Sequence, residues 1–335
     1  MADIAADIAV ESGWVPHKRV GQRVRVLRSF KFFDVTFHWV TLAAAIGVLI
    51  LLGGVILSLF LGSLPALKAF GFGFLFTEVW NPVTNRFGAL AAIYGTLVTS
   101  AIAMLFAVPI GLGIAIFLTE LCPQGLKRPM GIAVELLAGI PSIIYGIWGL
   151  FVFAPFLQEY VQPPLIALFG RIPGFSLLFA GPPYGIGMLT SGIVLAIMIL
   201  PYVSSISRDV FETVPPMLKE AAYGIGCTTS EVVRKVVIPH ARAGVIGGVM
   251  LALGRALGET MAVTFVIGNS HRIAGSLFAP GTTISATIAN EFTEAVGTLY
   301  TSSLIELGLI LFVITFFVLA AARYMLMRIE RKAQV

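Results

Sequence analysis

The chain is short of charge, of cysteine and of histidine, and each shortage removes a class of protein. Charged residues are 12% of the 335, against about 25% in ordinary soluble domains. The two cysteines, Cys122 and Cys227, both fall on the side expected to be cytoplasmic, so no disulfide is expected, and two isolated thiols make no metal site. His17, His38, His240 and His271 are scattered. That leaves no clustered acid, base or metal ligand of the kind a membrane enzyme for lipid-linked substrates requires. No G-x-x-x-x-G-K-S/T segment occurs, so the chain has no P-loop of its own. Repeats of short period and low-complexity tracts are also missing. The first 37 residues are polar and of mixed charge, which does not fit a cleavable signal peptide.

Apolar residues are what remains. They make up 58% of the chain, with a mean hydropathy of +0.95. A bilayer core of about 30 Å needs about 20 apolar residues as helix. Six stretches reach that length, over about 38–62, 89–119, 129–157, 184–206, 243–268 and 301–326. Hydrocarbon offers the backbone no hydrogen-bond partner, so an all-α integral membrane fold with six spans is expected.

Lysine and arginine set the expected orientation. Seventeen of the 22 fall in 1–37, in the 120–128 turn, in 207–242 or after 322. Lys68, Arg86, Arg171 and Arg272 are the four on the other side, and Arg255 lies within a span. By the positive-inside rule both termini and the polar segment around Glu220 are expected in the cytoplasm. The pI near 9.3 then reflects topology and anionic headgroups more than nucleic acid.

The expected division has three parts. Residues 1–37 are a cytoplasmic arm, disordered over 1–16, with an interfacial helix in 17–37 or a basic segment without regular structure. Residues 38–88 are the first span and an external loop, and 89–330 are a core of five spans. The outward loops 63–88, 158–183 and 269–300 are long. They either dock an external partner or cap the bundle, and the second is Pro- and Gly-rich and reads as irregular. Pro109, Pro141 and Pro201 are expected to kink their spans. Around Pro141, small residues and Ser142 suit a helix lining a pathway.

Two charges fall in the fifth apolar run. Arg255 is about 12 residues in, near the midplane, where an arginine costs about 2.5–3.5 kcal/mol on insertion scales. Glu259, four residues on, shares its helix face if the helix is continuous. Two readings stand: a pair fastening this helix to a neighbour, with Glu135 or Glu306 as further partners, or a cation that neutralises a passing anion. A guanidinium fork suits tetrahedral oxyanions.

One polar segment of about thirty residues separates the fourth and fifth apolar runs. It contains Glu220-Ala221-Ala222, then Gly226, then Val236, Ile238 and Pro239. This pattern resembles the cytoplasmic EAA loop of binding-protein-dependent ABC importer permeases, with Val236 and Ile238 as mild departures. The stretches 135–146 and 252–260, and the length of the 63–88 loop, are similar to the phosphate-specific members of that family. The likeness covers about 30–330.

The resemblance implies a type I importer permease fold and no bond-cleaving chemistry in this chain. It implies a coupling loop over 212–239 that docks on an ATPase through Glu220, Ala221 and Ala222, with Gly226 as the bend. It also implies a substrate route past Arg255, Glu259, Thr260 and Ser142. The implied partners are a second permease subunit (PstA-like), an ATPase dimer (PstB-like) that holds the ATP and Mg, an external phosphate-binding protein (PstS-like), phosphate and membrane lipid. No cofactor is expected on the chain itself. Three assignments remain beside this one. They are the sister phosphate permease, a permease for sulfate, molybdate or phosphonate, and a proton-coupled transporter that needs no ATPase.

Overall fold

The computed structural model describes residues 17–170, 172 and 175–333. The disorder expected over 1–16 lies outside them. The described residues are helical throughout, apart from connecting turns and one isolated bridge, Asn81 to Arg86. Six helices are long and apolar enough to cross a bilayer. Contacts divide the chain into two units, Met1–Ser58 and Leu59–Val335.

The first long helix, α1 (His17–Phe70), runs without a break through the boundary expected near residue 37. The interfacial helix and the first span are therefore one element. Within the first unit, none of residues 33–58 is buried, and Leu49, Ile50 and Leu51 are each about two-thirds exposed. A helix apolar on every side has lipid or another chain as its surroundings.

In the second unit, α2 (Gly73–Phe76) follows α1, and α3 (Leu90–Leu121) is the next span. Then come α4 (Gln124–Ala138), α5 (Ser142–Phe169), the short α6 (Phe175–Leu178) and α7 (Met188–Glu212). The rest comprises α8 (Pro216–Gly224), α9 (Thr229–Leu257), α10 (Met261–Val266), α11 (Ile284–Glu291) and α12 (Thr298–Ala333). Helix α7 is the centre: 67% of its apolar window is buried, against 17–33% for the other spans of this unit. It packs between α3 and α9. Small residues let the backbones meet: a Cβ on Gly111 would stand 2.8 Å from Val203, and one on Gly248 would stand 2.8 Å from Ile206. Arg208 to Glu135 at 2.6 Å and Lys127 to Glu212 at 3.0 Å fix α4 beside α7.

Two expected spans are displaced. The third was expected over 129–157, but the helix ends at Ala138 and restarts at Ser142. Pro141 has no N–H to continue the ladder, and it biases the residue before it away from helix. The crossing helix is thus Ser142–Phe169, which extends well into the Pro-rich stretch expected to be irregular. The fifth was expected over 243–268, but α9 begins at Thr229 and stops at Leu257. Its start is set by Glu231, which accepts from the Thr228 N–H at 3.0 Å in a capping box.

Proline has three distinct outcomes here. Pro109 and Pro201 sit inside unbroken α-helix. Pro141 ends one. At four further prolines the chain relaxes to a π-helical turn that ends two residues before the proline. This happens at Phe117–Leu121 before Pro123, Gly149–Phe153 before Pro155, Leu157–Val161 before Pro163 and Val233–Val237 before Pro239. A wider turn re-satisfies the carbonyls that proline leaves without a donor.

The loops around residues 80 and 271 are tied to α11 and α12 by one carboxylate. Glu291 accepts from the Trp80 indole N–H and from the Tyr300 hydroxyl at 2.7 Å, and it meets His271 Nε2 at 2.9 Å. Trp80 also stacks on His271, with ring centroids 5.4 Å apart. Burial works to raise the Glu291 carboxyl, and the bonds from His271, Tyr300 and Trp80 outweigh it, holding the group below the ordinary 4.5. A lowered folded-state value stabilises fully above pH 4.5, and the contribution is lost as pH falls through the folded value. Glu291→Gln should therefore lower the melting temperature of the purified chain at pH 7. The gap from wild type should close progressively below pH 4.5, as followed by thermal unfolding in detergent.

Candidate functional site

Two broken helices meet beside α7. At the first break, Pro141 strands the carbonyls of Leu137 and Ala138. Tyr145 donates to the Leu137 carbonyl at 2.8 Å, and Tyr202 of α7 donates to the Ala138 carbonyl at 3.3 Å. Ser142, half-buried, is the first residue of the helix that restarts. At the second break, α9 ends at Leu257 and α10 begins at Met261. The two lie side by side, because a Cβ on Gly146 would stand 3.1 Å from the Met261 carbonyl oxygen and the Ala262 Cα.

Arg255 lies in the last turn of α9 and is exposed on the chain. Its guanidinium sits 4.7 Å from the Tyr202 ring centroid. A cation at a helix C-terminus faces the negative end of the helix dipole, and the aromatic face adds a second attraction. Glu259 lies across the break. It is buried, and its Oε1 accepts from the Ala262 N–H at 3.3 Å at the start of α10. A carboxylate suits a helix N-terminus for the same reason.

The expected pairing of these charges is therefore corrected. Gly258 ends the helix, so the i, i+4 relation across one face does not hold. Among the described residues no ion pair joins Arg255 to Glu259, and Glu135 pairs with Arg208 instead. Glu306 is buried elsewhere, against α1 and α3. Thr260 is half-buried in the break, with its hydroxyl 3.4 Å from the Gly258 carbonyl. Ser285 of α11 clasps the same turn, donating to the Glu259 carbonyl at 2.6 Å. The geometry thus gathers Arg255, Thr260 and the break before Ser142 into one neighbourhood, with Glu259 set behind them.

The sequence reading missed Tyr202, Tyr145 and Ser285. Tyr202 had a signal, a hydroxyl beside Pro201 in the middle of an apolar run. Ser285 had none.

The polar segment folds as the short helix α8 and the first turns of α9, which run on into the fifth span, joined at Gly226. Helix α8 has no buried residue. Met217 is 78% exposed and Ile225 84%, and Glu220 and Ala221 are exposed too. Ala222 instead turns inward and packs near Phe211, Val214 and Val237. Gly226 adopts φ +90°, in the left-handed region that glycine enters without strain, and so reverses the chain towards α9. An ion pair ties α8 down as well. Lys219 bonds Glu120 at 2.6 Å, and Glu120 is only 6% exposed.

Residues 107–331 match the family of binding-protein-dependent transport system inner membrane components. The chain belongs to that family. It is thus a multi-pass permease of an inner membrane, a transport subunit and not itself an enzyme. The match takes in both helix breaks and the hinged polar segment. The permease is 72% identical over 310 residues to the phosphate transport system permease protein PstC of Mesorhizobium japonicum, covering 92% of this chain and 95% of that one. It is 55% identical to the protein of the same name from Haemophilus influenzae, covering 91% and 98%. Among solved structures, a chain of a bacterial alginate ABC transporter aligns with a TM-score of 0.59 at 18% identity, covering 88% of this permease and 96% of that chain. A chain of the MetNI methionine ABC transporter in an inward-facing conformation aligns at 0.53 and 16%, covering 75% and 99%. At such low identity these two establish the ABC importer permease fold alone.

Proposed function

We propose that this permease is one half of the channel of an ATP-driven phosphate importer, the part that PstC proteins play. The observation that carries the reading is Arg255. It is an exposed guanidinium with no carboxylate partner among the described residues, held at the meeting of two interrupted spans in a chain 72% identical to a phosphate permease. Interrupted helices at midplane are how many transporters expose polar backbone to a solute. An arginine offers up to five donors to phosphate oxygens. Thr260 and Ser142 contribute hydroxyls along the route. Glu259 acts from behind, bracing the turn after Arg255 and adding a negative field that keeps phosphate from binding too tightly.

Both termini and α8 lie in the cytoplasm in this scheme, as the lysine and arginine distribution supports. A PstB-type ATPase dimer, which holds the ATP and Mg, grips α8 through Glu220 and Ala221. Ala222 backs the helix from inside, and Gly226 is the bend. A PstA-type permease forms the other half of the channel, and a PstS-type binding protein delivers phosphate from outside. Closing the ATPase dimer carries α8 with it and rocks the two halves to open outward. Hydrolysis then returns them and releases phosphate inward.

The test is uptake of labelled phosphate into vesicles containing all four kinds of subunit, with and without ATP. Uptake should require ATP and resist competition by sulfate. Transport without the ATPase, or equal inhibition by sulfate, would overturn the reading.

A further inference from the structure

A second built feature lies away from the proposed route. Where α1 ends and α12 descends beside α3, a cleft of about 560 Å³ opens on the outer surface of the second unit. Its walls are apolar, among them Leu67, Phe72, Phe76, Ile310 and Val313, with one exception. That exception is Glu306, which is 95% buried with an exposure of 5%. Its Oε2 has no hydrogen-bond partner, and no lysine or arginine lines the cleft. A buried carboxyl oxygen left without a donor costs stability and calls for an explanation, which a bound donor would supply.

The layout of the cleft identifies what does. Glu306 stands at the head of an uncharged run, 307–322, and so at the border of the hydrocarbon. Around the mouth, Phe72 is 82% exposed and Phe76 is 76% exposed, at the level suited to an aromatic belt. From Glu306 the cleft continues past Ile310 to Ile314, about 12 Å of helical rise deeper into the apolar zone. A polar anchor at the border with an apolar trough below it is the shape of a phospholipid. The sign of the anchor selects the headgroup: a carboxylate repels a phosphate and attracts an ammonium.

We propose that this cleft binds one phospholipid bearing a primary-amine headgroup, its ammonium on Glu306 and one acyl chain along α12. A primary ammonium brings three N–H donors, as lysine does. A quaternary choline brings charge and no donor. The site therefore distinguishes phosphatidylethanolamine from phosphatidylcholine with identical chains.

The experiment exposes the purified full-length chain in mild detergent to equal amounts of those two lipids and counts retained lipid by native mass spectrometry. Wild type should retain phosphatidylethanolamine about tenfold over phosphatidylcholine, the scale of one hydrogen bond to a charged group. Glu306→Gln should bring the ratio near one. Val313→Trp should fill the trough and lower retention of both. Equal retention by wild type overturns the proposal whatever the variants do, and so does a preference that survives Glu306→Gln. A third result would also end it: capture of another polypeptide instead of lipid by a photoreactive side chain introduced at Val313.

Discussion

ATP-driven phosphate uptake by vesicles carrying the assembled importer is expected to fall about a hundredfold on Arg255→Ala. Two bonds from a guanidinium to an anion contribute roughly 3 kcal/mol together, and each 1.4 kcal/mol is tenfold. Arg255→Lys should fall between, because it keeps the charge and loses the fork. The broken helix sharpens the prediction. Were Arg255 and Glu259 a pair on one face, removing both would restore part of what removing one destroys. With α9 ending between them, and each charge serving a different helix end, the double variant Arg255→Ala/Glu259→Ala should show no rescue. Unchanged uptake by Arg255→Ala, with assembly intact by size-exclusion chromatography, would reduce the residue to a helix cap resting on Tyr202.

Reversing one charge on α8 should separate assembly from folding. Glu220→Lys is expected to weaken association with the ATPase by about tenfold to a hundredfold, as truncated or reversed charges do at desolvated contacts. The melting temperature of the isolated permease should stay within about 1 °C of wild type, since Glu220 is exposed. Co-purification with the ATPase and a thermal melt of the permease alone read the two quantities. Normal association would remove Glu220 from the contact. A large fall in melting temperature would mean that the residue serves the permease itself.

The six crossings were legible because an apolar run of 20 residues has few other uses, and α1, α3, α7 and α12 lie where hydropathy put them. The two interruptions were not. A sliding hydropathy window passes over Pro141 and Gly258 alike, because both sit among residues that lipid tolerates. The same blindness made Arg255 and Glu259 neighbours on a helix that stops at Leu257. Proline was an ambiguous guide: Pro109, Pro201 and Pro141 look alike in sequence, and only the last ends its helix. At Pro141 two side chains answer the carbonyls at the helix end. They are Tyr145 and Tyr202, and tertiary partners of that sort are not written locally. The hinged polar segment was readable for the opposite reason. A polar stretch with a glycine between two spans has few folds available, and the inward turn of Ala222 is the detail it withheld.

The ion pair between Lys219 and Glu120 ties α8 to the end of α3. With the Glu120 side chain 6% exposed and that of Lys219 20%, added salt weakens the pair less than it would a surface pair. Its far end is the π turn Phe117–Leu121, the widest and least regular winding of α3. In the proposed cycle, a pull on α8 therefore reaches α3 first at that wider winding.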